Sequence, residues 1–148
     1  MEDNMVRLNK EQIKEIIPHR EPMLFVDEVT QMKPGESIMT KLYVSPDLEV
    51  FKGHFPGNPV LPGVLTVEAM AQTADILLLS FEKYAGTIPY FIGIDEVKFK
   101  KKIEPGDTIT MEAKISKENN EKAIVTCDAV TYNNGEVAAL GKVTLAMR

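Results

Sequence analysis

The stretch His54-Phe55-Pro56-Gly57-Asn58-Pro59-Val60-Leu61-Pro62-Gly63-Val64-Leu65-Thr66-Val67-Glu68 joins a titratable loop residue to a long, mostly apolar segment. Three prolines and two glycines fall between Pro56 and Gly63. Neither a strand nor a helix continues through such a run, so His54 stands where extended chain gives way to irregular backbone. Pro62 suits a first helical position, because its missing N–H would have no partner there and its φ is already near the helical value. No proline or glycine follows Gly63 until Gly86. This predicts a helix from Pro62 to about Lys83, closed by Gly86 in a left-handed conformation. Its apolar residues, among them Val64, Val67, Met70, Ile76, Leu78 and Phe81, spread over most of the circumference. A helix of that kind is wrapped by other structure.

The N–H groups of Gly63 and its neighbours have no helical partner, and the helix dipole there favours negative charge, so an oxyanion can be held at that end. Gly63 also leaves room for a ligand carbonyl to approach. Glu68, Gln72 and Asp75 recur at helical spacing and share a face with Glu82. Such a stripe is ordinarily solvated. Beside a loop histidine, Glu68 could instead belong to a site. His54 is in turn either a structural loop residue or the other member of that pair.

Around this centre, 148 residues with 44% hydrophobic and 26% charged side chains describe one globular domain over residues 1–148. The single cysteine, Cys127, lies in an alternating run and reads as a packed strand thiol. With no CxxC pair and no apolar signal segment, the expected compartment is the cytosol. Charged residues along the central helix argue against a membrane span. Asn9, with Gln12 three positions on, caps a short helix ending before Pro18. Strands are predicted at 24–31, 37–44, 91–103, 108–117, 122–132 and 137–147, punctuated by turn-formers such as Pro105-Gly106-Asp107 and Asn133-Asn134-Gly135. One long helix and about six strands joined mostly by hairpins imply an α+β fold, an antiparallel sheet curled around the helix. Such a sheet leaves an edge, and pairing that edge between two copies would complete it.

Gly53-His54-Phe55-Pro56-Gly57-Asn58-Pro59-Val60-Leu61-Pro62-Gly63-Val64-Leu65, followed by Glu68-Ala69-Met70-Ala71-Gln72, closely resembles the signature of the β-hydroxyacyl-acyl-carrier-protein dehydratases of bacterial fatty-acid synthesis, the Z type. The likeness extends to Ile17-Pro18-His19-Arg20 through Asp27, and to Gly93-Ile94-Asp95-Glu96-Val97-Lys98-Phe99 and Pro105-Gly106-Asp107. Nearly the whole chain is covered.

The resemblance implies the hot-dog fold, a homodimer with shared active sites, and trimers of such dimers. It makes His54 the base that removes the α-proton of a (3R)-hydroxyacyl thioester, and Glu68 of the other subunit the acid that protonates the leaving hydroxyl. A carboxyl against an apolar tunnel would have a raised pKa, which suits an acid. Val60 would orient His54 through its carbonyl, and the Gly63 N–H would hold the thioester oxygen. Phe55 and Gln72 would complete the substrate site, with Tyr90 as a gate or simple strand packing. His19 reads as structural. No cofactor or metal is implied; the substrate rides on the phosphopantetheine of acyl carrier protein. Glutamate at position 68 favours the Z type over the related dehydratase-isomerases, which carry aspartate there, though isomerase activity is compatible with the same pair. Asp75 departs from the family, which commonly has glycine; it would face solvent, face the dimer partner, or constrict the acyl path.

Lys98, Lys100, Lys101 and Lys102 reverse the local charge in a chain of net charge −5. They form either a solvated edge or a dock for acidic acyl carrier protein. The acidic balance speaks against nucleic acid. No HExxH, GxSxG or GxGxxG motif is present. A hot-dog thioesterase and a non-catalytic acyl-binding module are the competing readings.

Overall fold

The computed structural model describes residues 5–148, and its elements run α1 (Lys10–Ile16), β1 (Glu28–Lys33), β2 (Ser37–Tyr43), α2 (Gly63–Leu79), β3 (Pro89–Phe99), β4 (Thr108–Asn119), β5 (Ile124–Asn133) and β6 (Glu136–Met147). The six strands form one sheet in the order β1-β2-β4-β5-β6-β3, and every neighbouring pair is antiparallel. The α+β, hot-dog arrangement expected from the sequence is the one observed.

Alternation drives the sheet onto the helix. Ile109, Met111 and Ala113 of β4, and Val125, Cys127 and Ala129 of β5, are all buried. The β5–β6 hairpin closes through Asn134 and Gly135, both at positive φ (55° and 80°), the geometry of the tight turns that match strand twist. The predicted capping box of α1 is present, with Asn9 and Gln12 exchanging side-chain and backbone bonds.

From Thr66 to Leu79 every residue of α2 is buried except Glu68, and the helix contacts β2 through β6. It differs from expectation at both ends. Pro62 is the N-cap rather than the first helical residue. The helix stops at Leu79, where the Ser80 hydroxyl donates to the Ile76 carbonyl at 2.6 Å and Phe81 turns extended. Gly86, at φ +83°, follows a separate 3₁₀ turn over Glu82–Tyr84, so Glu82 does not share the helix face.

The first strand is also displaced. Leu24, Phe25 and Val26 are buried, yet β1 starts only at Glu28. The reason is a side chain: Gln72 Oε1 accepts from the Phe25 N–H and its Nε2 donates to the Met23 carbonyl, each at 2.7 Å. Met23 and Phe25 are therefore tied to α2, and the chain joins β2 only from Asp27, whose N–H donates to the Lys41 carbonyl at 2.8 Å. Among the described residues no helix is long and apolar enough to cross a membrane.

Candidate active site

His54 follows a 3₁₀ turn at Glu49–Lys52, and two backbone bonds fix its main chain: its N–H donates to the Val50 carbonyl at 3.1 Å, and its carbonyl accepts from the Val60 N–H at 2.9 Å. The loop thereby folds the ring back so that Nδ1 lies 2.8 Å from the Val60 carbonyl. A carbonyl only accepts, so Nδ1 carries the hydrogen and Nε2 of the neutral ring keeps its lone pair. Phe55 stacks on the imidazole with centroids 3.9 Å apart.

The ring lines a cleft of about 610 Å³ together with Val60, Gly63, Val64, Phe99, Lys100 to Ile103 and the Ala138-Ala139 wall. The N-terminus of α2 opens into it. Leu65 and Thr66 turn their N–H groups to the Pro62 carbonyl, whereas the Gly63 and Val64 N–H groups have no backbone partner among the described residues. Gly63 makes a close contact that the sequence did not suggest. A Cβ there would sit 2.8 Å from Cζ of Phe99, whose ring covers this end of the helix.

Glu68 lies elsewhere within the chain. It does not line the His54 cleft; its Oε2 accepts from Gln72 Nε2 at 2.7 Å. Gln72 is fully buried and acts as a clamp as well as a Glu68 partner. Asp75 is only 3% exposed, which overturns the solvent reading of the stripe at this position. Its Oδ2 is 3.7 Å from His19 Nε2, and the same nitrogen is 3.8 Å from Glu68 Oε2. His19, read from sequence as structural, thus stands between two carboxyls. Only packing could reveal this, because 49 positions or more separate it from both.

Burial raises the Asp75 pKa well above the ordinary carboxylate range, and the Glu68 charge adds to it. Burial lowers that of His19, against the pull of Glu68 and with that of Arg20.

Tyr90 is 54% exposed on β3 and lies outside the cleft, beside the exposed Ile92 and Ile94. The basic cluster is divided. Lys100, Lys101 and Lys102 line the cleft, while Lys98 borders a shallow depression beside Asp128 and Lys142. Lys101 pairs with Glu136 at 2.7 Å and Lys102 with Glu104 at 3.6 Å. Lys98 and Lys100 have no carboxylate partner among the described residues.

Residues 17–142 match the FabA-like domain, and the chain belongs to that family. Among its relatives, the 3-hydroxyacyl-[acyl-carrier-protein] dehydratase FabZ of Oenococcus oeni is 49% identical over 132 residues, covering 89% of this chain and 86% of the relative. The protein of the same name from Ligilactobacillus salivarius is 49% identical over 121 residues, 79% of this chain and 86% of its own. Solved structures share the fold at low identity. One is the dehydratase heterocomplex ApeI:P of Xenorhabdus doucetiae, with TM-score 0.76 and 17% identity over 92% of this chain and 90% of that one. Another is a mutant thioesterase, PA1618, of Pseudomonas aeruginosa, with TM-score 0.69 and 13% identity over 94% and 93%.

Proposed function

We propose that this chain is a 3-hydroxyacyl-[acyl-carrier-protein] dehydratase, a hydro-lyase of fatty-acid synthesis, with His54 as base and Glu68 as acid. The observation that carries the assignment of roles is the 2.8 Å contact from His54 Nδ1 to the Val60 carbonyl. It makes Nε2 the basic nitrogen of a ring that lines an acyl-sized cleft.

In the forward direction Nε2 takes the proton from the carbon next to the thioester carbonyl. Negative charge then develops on the carbonyl oxygen, for which the Gly63 N–H at the positive end of α2 is the donor. The electron pair forms the α,β double bond as the C–O bond to the β-hydroxyl breaks, and that hydroxyl leaves as water with the proton of Glu68. Hydration of the enoyl thioester is the same path reversed.

His54 and Glu68 face different surroundings in one chain, so in this reading Glu68 of the partner subunit completes the site. The outer edge of β3, pairing only with β6 and carrying exposed Tyr90, Ile92 and Ile94, is the seam proposed for that dimer. Lys98 and Lys100, without a carboxylate partner among the described residues, are the cations proposed to meet acidic acyl carrier protein. The cytosol is the proposed compartment, supported by the one cysteine, buried and unpaired.

The test is incubation with a short trans-2-enoyl thioester, following loss of the conjugated absorbance and the product mass. Gain of one water is expected, lowered by about 10²-fold or more in His54→Ala and in Glu68→Gln. Release of a free carboxylic acid would instead make it a thioesterase, and binding without turnover an acyl-binding module.

A further inference from the structure

Three hydroxyl side chains belong to α2 and its C-cap, and two of them are satisfied within the protein. Thr73 Oγ1 donates to the Ala69 carbonyl at 2.9 Å and lies 2.8 Å from Thr40 Oγ1. The Ser80 hydroxyl donates to the Ile76 carbonyl. Thr66 is the exception. The residue is only 2% exposed, yet its hydroxyl has no hydrogen-bond partner among the described residues. The local cause is at the helix start. A helical threonine ordinarily returns its hydroxyl to the carbonyl four residues back. For Thr66 that carbonyl is Pro62, which already accepts from the Leu65 N–H at 3.0 Å and the Thr66 N–H at 3.3 Å. Both lone pairs are taken, so the hydroxyl is left without its usual acceptor. Thr131 Oγ1 is sealed from solvent without a partner, whereas the Thr66 oxygen keeps access, and the surface that Thr66 lines is the His54 cleft.

Thr66 stands three residues after Gly63, so the two share a face of α2, with Cβ positions about 5–6 Å apart. Helical side chains lean toward the N-terminus, which carries the Thr66 hydroxyl toward Gly63. The Gly63 N–H has no backbone partner among the described residues. One oxygen atom in the cleft is therefore within reach of both donors. Few other groups there can answer it. The side chains of Val60, Val64, Phe99, Ile103, Ala138 and Ala139 carry no polar atom. His54 Nδ1 is engaged by the Val60 carbonyl, and Lys101 and Lys102 by Glu136 and Glu104. For packing alone, valine would fill position 66 without leaving a hydroxyl unpaired.

We propose that the Thr66 hydroxyl is a further substrate contact: beside the Gly63 N–H, it donates a hydrogen bond to the carbonyl oxygen of the acyl thioester. This rests on the dehydratase reading and adds a second donor to it. As His54 takes the α-proton, electron density moves onto that oxygen and both bonds strengthen. The hydrogen stays on Thr66, shared with the oxygen and not transferred, so His54 and Glu68 remain the groups that exchange protons.

Thr66→Val replaces the hydroxyl by a methyl of similar shape, and Thr66→Ser keeps the hydroxyl. No bond within the protein is lost in Thr66→Val, so its melting temperature is expected to hold. Hydration of a short trans-2-enoyl thioester is expected to fall by about 10²-fold in kcat in Thr66→Val, the loss usual for one oxyanion donor. Thr66→Ser is expected to stay near the wild-type rate. Infrared difference spectra with butyryl pantetheine, labelled with carbon-13 at its carbonyl, report the bond directly, since this thioester has no hydroxyl to eliminate and no double bond to hydrate. The labelled band is expected at lower frequency on wild type and Thr66→Ser than on Thr66→Val.

Equal band positions on wild type and Thr66→Val would overturn the proposal, and so would a wild-type rate in Thr66→Val. Equal rate losses in Thr66→Val and Thr66→Ser would also overturn it, because they would make position 66 a matter of shape. Wild-type protein that fails to hydrate the enoyl thioester defeats the dehydratase reading itself, whereas the carbonyl band reports on the Thr66 bond independently of turnover.

Discussion

At the scale of single residues, the site depends on side chains whose polar atoms are spoken for by the backbone. His54 is the plainest case, its tautomer set by Val60. Gly63 is the next. In Gly63→Ala the new methyl meets the far end of the Phe99 ring at 2.8 Å, and Phe99, which is exposed, can swing away. Stability should change by no more than about 1 kcal/mol, while KM for the acyl thioester rises because the swung ring enters the cleft; an unchanged KM would refute this.

Asp75 makes a separate prediction about folding. Its pKa is raised in the folded protein, so the native state binds more protons than the unfolded one. The associated stability is complete below the ordinary carboxylate pKa and is lost as pH rises through the raised folded value. His19 has the opposite sign. Its pKa is lowered on folding, so its contribution is present above the ordinary imidazole value and is lost as pH falls through that value toward the folded one. Denaturant melts of wild type should therefore show stability declining on the alkaline side of a maximum, and Asp75→Asn should flatten that decline.

At the scale of elements, α2 is held by a polar clamp as well as by apolar burial. Gln72 reaches Met23 and Phe25, and Thr73 bonds both Thr40 and the Ala69 carbonyl. Gln72→Leu keeps the volume but leaves the buried Phe25 N–H without its partner and removes the bond to the Met23 carbonyl. A loss of about 2–4 kcal/mol is expected, measured by urea denaturation. A loss under about 0.5 kcal/mol, within the range of ordinary surface substitutions, would mean that water replaces the clamp. The edge strand β3 makes a different demand. Ile92→Lys places a charge among the exposed apolar residues of that strand and should shift the sedimentation profile toward monomer, with enoyl hydration falling in parallel. Full activity in a monomeric variant would refute the shared site.

At the scale of the whole molecule, charge is distributed against the net balance of −5, with Lys98 and Lys100 beside or near the cleft. Lys98→Ala/Lys100→Ala should weaken turnover of carrier-bound substrate about tenfold, with the difference from wild type shrinking as salt rises. Turnover of a small free thioester should stay unchanged; equal losses on both substrates would remove the docking role.

The sequence by itself determined most of this architecture, because its signals are local. Proline and glycine between Pro56 and Gly63 fix where the loop stands, alternation in β4 to β6 fixes the buried face of the sheet, and Asn134-Gly135 fixes a hairpin. The His54 loop, Glu68 and Gly63 were legible through their motif. The tertiary structure alone decided what depends on distant groups meeting. Gln72 draws the chain before β1 away from a strand, Ser80 and Phe81 end α2 before Lys83, Phe99 rather than a ligand packs against Gly63, and His19 comes to lie between Glu68 and Asp75. A charged residue at helical spacing reads as solvated until something covers it. Here the covering segment lies some fifty residues away, and only folding brings it there.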